Sequence, residues 1–84
     1  MRVKYNEHGD VMYVSIRDTK MPCVYVEEET GIVCRLEATT RSVVGVTIPF
    51  FMQRVGRSEQ IRVKCLDTDL SGQTLLSLIG HSHA

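Results

Sequence analysis

The sequence lacks a surplus of charge of either sign: its 84 residues carry 10 Lys and Arg against 10 Asp and Glu. A chain without a net field does not draw in a phosphate backbone or an anionic membrane surface. Its basic residues are also scattered, with only Arg54 and Arg57 close together, so the sequence argues against nucleic acid as a partner. Long apolar runs are missing too. No stretch approaches the roughly 18 apolar residues of a spanning helix, and the opening MRVKYNEHGD has no apolar segment of signal-peptide length. The expectation is a cytoplasmic protein with no membrane contact.

The motifs of common chemistries are absent as well. There is no GxSxG turn, and the glycines are dispersed singly, so no phosphate-cradling loop is formed. Cys23, Cys34 and Cys65 form no CxxC pair and no structural-zinc spacing. Odd in number and set beside apolar residues, they are expected as buried reduced thiols rather than a disulfide framework. No metal and no cofactor are expected.

At this length the chain is expected to be a single domain, residues 1–84. Chains this small bury only about 60 to 65 per cent of the surface that they expose when unfolded. Many complete their cores by association, which makes a homodimer or higher homo-oligomer the default.

What the sequence does have is alternation. RVKYN at 2–6 places Val3 and Tyr5 on one face, the period-2 mark of a half-buried strand. EHGD at 7–10 is a hairpin turn, with Gly9 expected in the left-handed conformation. VMYVSIRD then sets Met12, Val14 and Ile16 against Val11, Tyr13, Ser15 and Arg17. Pro22 interrupts the chain, CVYVEEE resumes with Val24 and Val26 inward, and Glu29-Thr30-Gly31 turns into IVCRLEA. VVGVTI at 43–48, with Val44, Val46 and Ile48 on one face and Val43, Gly45 and Thr47 on the other, is nearly uncharged. It reads as a central strand with cover on both sides.

Pro49 stands where a first helical residue would, and Gly56 where a helix-ending residue would, so a short helical turn is expected at 49–55. IRVKCL at 61–66 returns to strand alternation. Asp67, Thr68 and Asp69 offer acceptors for a helix N-terminus, and Leu70, Leu75, Leu78 and Ile79 recur at helical spacing, which predicts a C-terminal helix at about 69–79 with a frayed HSHA tail. The fold class expected is α+β: a mostly antiparallel meander sheet of five or six strands, a short helical turn, and a C-terminal helix on one face.

Successive helical residues diverge by about 100 degrees, so Phe50 and Phe51 cannot both face one core. One of them, or Met52, should stay uncovered, and Leu76 lies off the stripe of the last helix. These four residues are the candidate interface, expected to join two copies of the chain.

YNEHGDVMYVSI resembles the opening of a bacterial family of short proteins, the domain of unknown function 2283 family. Tyr5, Asp10, Tyr13, Val14 and Ile16 fall on its pattern, and Gly31-Ile32-Val33 with the Gly45 and Ile48 of VVGVTI look like its second half. The resemblance covers about residues 1–55 and implies a soluble bacterial protein. Asn6, Arg35, Thr47 and the TTRS loop depart from the family at polar positions that are usually acidic. The resemblance brings no activity with it.

Among polar residues, His8, Asp10, Glu27 and Glu29 are the candidate site, a carboxylate and imidazole cluster in which strand alternation lets at most two of the Glu27–Glu29 run converge with Asp10. The plainer reading is a turn histidine beside a strand edge kept soluble by charge. His81 and His83 form an HxH pair without third and fourth ligands. Tyr5, Tyr13 and Tyr25 near Arg2, Lys4 and Arg17 could make a platform for single-stranded RNA, but tyrosines on strands more often pair across the sheet. The function expected is a non-enzymatic, homo-oligomeric interaction module. Its rivals are an antitoxin-like chain that binds a protein partner, and a small ligand- or metal-dependent enzyme with Asp10 in a site between subunits.

Overall fold

Alternation becomes five strands: β1 (Arg2–Asn6), β2 (Val11–Ser15), β3 (Cys23–Glu27), β4 (Val33–Glu37) and β5 (Val43–Pro49). They form one antiparallel sheet in the order β1-β2-β5-β4-β3. β3, β4 and β5 follow one another as a meander, while the β1–β2 hairpin joins the free edge of β5, which makes β5 the central strand. A computed structural model describes residues 1–57 and 60–82, and its fold is α+β. Helix α1 (Phe51–Arg57), a hairpin of β6 (Gln60–Val63) and β7 (Thr68–Ser71), and helix α2 (Gly72–Ser82) complete it. No helix among the described residues is long and apolar enough to cross a membrane.

One face of the sheet carries the core. Val3, Met12, Val14, Cys34, Val46 and Ile48 point into it and meet Phe51 from α1, Ile61 and Val63 from β6, and Leu75 from α2. Each such side chain contributes about 1.5 to 3 kcal/mol on leaving water. The expected inward set of β1 and β2 is thus found in place.

Several boundaries differ from the sequence reading, each for a physical reason. The left-handed residue of the first turn is Asp10 (φ 55°) and not Gly9, whose amide instead donates to the Asn6 side chain at 3.3 Å. Pro49 ends β5, a position where a missing amide is tolerated, and does not begin a helix. Phe50 takes the left-handed conformation (φ 55°), α1 starts at Phe51, and Gly56 lies inside the helix. Asp67 and Thr68 do not cap a helix: Asp67 turns the β6–β7 hairpin in the left-handed region, and Thr68 and Asp69 pair with β6. Turn and cap chemistry share these residue types, which is why local reading confused them. The helix cap is Ser71, whose Oγ accepts the Thr74 amide at 3.3 Å, and α2 runs through residues that the sequence marked as tail. His83 of the HxH pair lies outside the described residues.

Register also shifts between Arg35 and Leu36, so that Leu36 opposes Val43 and not Val44. Val43 consequently packs against the core, the reverse of its expected side. Val24 and Val26 share rows with the core-facing Leu36 and Cys34 but lie at the sheet edge, where Val26 remains 43% exposed. The cysteines are not all reduced thiols: Cys34 and Cys65, 31 residues apart, are joined by a disulfide, and Cys23 is free. Tertiary packing makes that pair by bringing the 3₁₀ turn Lys64–Leu66 against β4, so no spacing motif announced it. The cytoplasmic expectation loses one of its supports, since disulfides persist chiefly in oxidising compartments.

Candidate functional site

The sheet's second face has no layer over it among the described residues. Register aligns two rows across it: Arg2, Ser15, Gly45, Arg35 and Tyr25, then Lys4, Tyr13, Thr47, Val33 and Glu27. In the middle is a shallow depression of about 230 Å³ lined by Tyr13, Ser15, Tyr25, Arg35, Gly45 and Thr47. Its two aromatic walls are open, Tyr13 at 41% and Tyr25 at 69% exposure. β5 is central as expected and none of its residues is exposed, but on this side its cover comes from neighbouring strand side chains such as Arg35 and not from a second layer among the described residues.

Arg35 is the unusual group here. Its guanidinium lies along Gly45, where a Cβ would come within 3.3 Å of Nη2, 3.5 Å of Nε and 3.2 Å of the Val14 carbonyl oxygen. A side chain at 45 would crowd the Val14 carbonyl and push the arginine outward by a few tenths of an ångström, so glycine lets it lie closest to the sheet. Nε is shut off from water and has no hydrogen-bond partner. A buried unpaired donor costs about 1 to 3 kcal/mol, a cost of laying the guanidinium flat on the sheet.

The expected polar cluster does not assemble. Asp10 leads into β2, whereas Glu27 ends β3 at the far edge, three strand spacings or about 14 Å across the sheet. Glu29 is exposed and lies 3.9 Å from Lys64, and His8 is exposed at the β1–β2 turn. Asp10 has a structural task instead. Its Oδ1 accepts from Tyr5 Oη at 2.7 Å and from the Met52 amide at 2.8 Å, while its carbonyl accepts the Phe51 amide at 2.9 Å. Desolvation works against the charged carboxylate, but the amides of Met52 and Gln53 and the Tyr5 hydroxyl outweigh it and hold the Asp10 pKa below its ordinary value. The same hydrogen bond, with desolvation, pushes the Tyr5 phenol up to about 12.

Tyr5 accordingly faces the core, with its ring 5.8 Å from that of Phe51, and does not join Tyr13 and Tyr25 on the open face. Of the candidate interface residues, Phe51 is fully buried and offers nothing to a partner, and Leu76 is half-buried against the core. Phe50 (58%) and Met52 (45%) are turned to solvent.

Two carboxylates were missed by sequence reading. Glu37, with a side chain only 8% exposed, is gripped by Arg17 through both oxygens (2.9 and 3.3 Å), by Thr40 at 2.8 Å and by Thr19. The Arg17 hydrogen bonds, then those of Thr19 and Thr40, bring its pKa down to about 2. Glu28 accepts the amides of Lys64 at 3.2 Å and Cys65 at 3.3 Å, pinning the 3₁₀ turn to the β3–β4 loop. No local signal distinguishes Glu28 from its neighbours; Glu37, flanked by Leu36 and Ala38, is equally plain.

No family model, no curated protein and no solved structure matches the chain. The likeness of residues 1–55 to the domain of unknown function 2283 family therefore stands as a resemblance of sequence pattern.

Proposed function

We propose that the chain is a non-enzymatic interaction module that works as a homodimer, with the open face of the sheet as its contact surface. The observation that carries the reading is the uncovered sheet face itself, where Tyr13 and Tyr25 stand exposed around a centre whose one charge is Arg35. Charge supports a second copy as the occupant. A two-fold axis lying along β5 sets the β3 edge of one copy over the β1 edge of the other while keeping each row over its mate. Glu27 then meets Lys4 of the second copy, and Arg35 meets Ser15 of the second copy, whose hydroxyl is an acceptor. An axis across the strands would set Lys4 against a second Arg2, a like-charge contact. Aligned packing of two sheets has ample precedent in sandwich architectures.

Five strands of about five residues give a flat face of about 19 by 17 Å, or about 650 Å² over both copies, below the roughly 1,200 Å² of standard specific interfaces, so association is expected to be weak, micromolar at its tightest. Sedimentation equilibrium from 1 to about 200 μM, a range bracketing such a dimer, tests the reading. The wild type is expected to move from 9.5 kDa to twice that mass. Arg35→Glu and Tyr25→Asp should remain monomeric, and Phe50→Asp should associate as the wild type does. Loss of association in Phe50→Asp alone would move the interface to α1, and a monomer throughout would end the homodimer reading. A protein partner bearing a carboxylate is the second reading, favoured by the positive charge that Arg35 brings to the middle of that face. It is the one left standing if the wild type is monomeric while Arg35→Glu abolishes capture of a co-expressed partner.

A further inference from the structure

Glu28, Cys34 and Cys65 come together from three segments that sequence spacing keeps apart, and their ligand atoms all lie within 4.8 Å of one another. Glu28 is held by its two backbone hydrogen bonds with Oε2 only 3.2 Å from Cys34 Sγ. A disulfide sulfur has no proton to give to that carboxylate. The contact suits the dithiol state, in which Cys34 donates S–H to Oε2, and it suits a cation that replaces the thiol protons.

We propose that the Cys34–Cys65 pair is a redox-gated zinc site: closed as a disulfide, and in the dithiol state binding one Zn²⁺ through both thiolates and Glu28. Tetrahedral zinc, with Zn–S near 2.3 Å and Zn–O near 2.1 Å, needs ligand atoms about 3.6 to 3.8 Å apart. The carboxylate is already close to that separation from Cys34 Sγ, and the two sulfurs are free to move apart once their bond is broken. Two thiolates and one carboxylate leave a fourth position for water. The amides of Lys64 and Cys65 orient the carboxylate from behind, as outer hydrogen bonds do at metal centres. Cys34 is fully buried, while Glu28 and Cys65 are half-buried, so the ion would enter from the side of the 3₁₀ turn.

The chemistry balances with a phosphine as reductant. The phosphine transfers two electrons to the disulfide, takes an oxygen from water to become the phosphine oxide, and leaves two thiols. Zn²⁺ then displaces the two thiol protons to form two Zn–S bonds. In the oxidised protein the sulfurs are spent on each other, and the carboxylate alone is a weak ligand.

The test uses full-length protein, reduced with a water-soluble phosphine, desalted under nitrogen and titrated with Zn²⁺ alone or with Co²⁺ as its optical stand-in. Expected are one ion per chain, a thiolate-to-cobalt charge-transfer band that Zn²⁺ abolishes, and no binding by the oxidised protein. Glu28→Gln should weaken zinc at least tenfold, on the scale seen when a metal ligand or its support is lost, and Cys65→Ser should abolish the charge-transfer band. Cys23→Ser should change neither. X-ray absorption of the zinc-loaded wild type keeps the question decidable if a variant fails to fold: two sulfurs with oxygen completing the shell upholds the site. A shell of nitrogen and oxygen only, equal zinc uptake by oxidised protein, or no uptake by reduced protein overturns it.

Discussion

The two faces of the five-stranded sheet come from the same alternating strands, yet one is closed and the other open. On the closed face Met12, Ile48 and Cys34 are fully covered by α1, the β6–β7 hairpin and α2. On the open face Tyr13 and Thr47 share one row and Tyr25 stands in the next, with no layer above them among the described residues. The difference teaches that alternation specifies which way a side chain points and leaves open whether anything meets it. The closed face is where stability resides, and the open one is where a second molecule can act without disturbing the fold.

Substitutions should separate these roles. The largest effect is expected from Phe51→Ala, which empties the centre of the closed face and should lower unfolding free energy by about 3 to 5 kcal/mol in urea titration. Opening the 31-residue link by Cys65→Ser should cost about 3.7 kcal/mol in metal-free buffer, read as the shift in urea midpoint. Acid probes the loops beside the sheet. Glu37 has a folded pKa depressed from 4.5 to about 2, so its contribution is intact above pH 4.5 and is lost as pH falls toward 2. Glu37→Gln should flatten that limb of the melting-temperature profile.

Tyr5→Phe should cost about 1 kcal/mol by removing the hydrogen bond to Asp10. Because the Tyr5 pKa is raised from 10 to about 12, the wild type should lose stability as pH rises between those values, and the variant should not. The smallest effect on folding, within about 0.5 kcal/mol, is expected for Tyr25→Ala on the open face. The same change should weaken self-association in sedimentation. A Tyr25→Ala variant destabilised as much as Phe51→Ala would erase the contrast between the faces.

Much of the closed face was legible in the sequence. Val3, Met12 and Val14 follow a period of two, and no local feature competes with it in β1 and β2. Legibility failed where a residue had two uses. Asp67 and Thr68 read as helix caps because a hairpin turn asks for the same side chains, and Pro49 read as a helix start because a strand end tolerates it equally. The shift between Arg35 and Leu36 left no local trace, so Val43 was assigned to the wrong side. The candidate site was hidden for a related reason. Arg35 looks like any solvated strand charge until pairing puts Gly45 beneath it and Tyr25 beside it. The Cys34–Cys65 link likewise needs the 3₁₀ turn to cross β4, a tertiary event.

The seam between β2 and β5 governs how the molecule comes into being. Residues 1–17 can fold back on themselves at once, and so can 23–49, because each pairs only with near neighbours in the chain. Joining them requires Met12 to find Ile48 and Val14 to find Val46, across more than thirty residues whose closure entropy is spent before any contact repays it. Until that meeting, both halves display raw strand edges to the crowded surroundings of the ribosome. Zippering of this one ladder is therefore the step at which a nascent copy stops being a hazard to its neighbours.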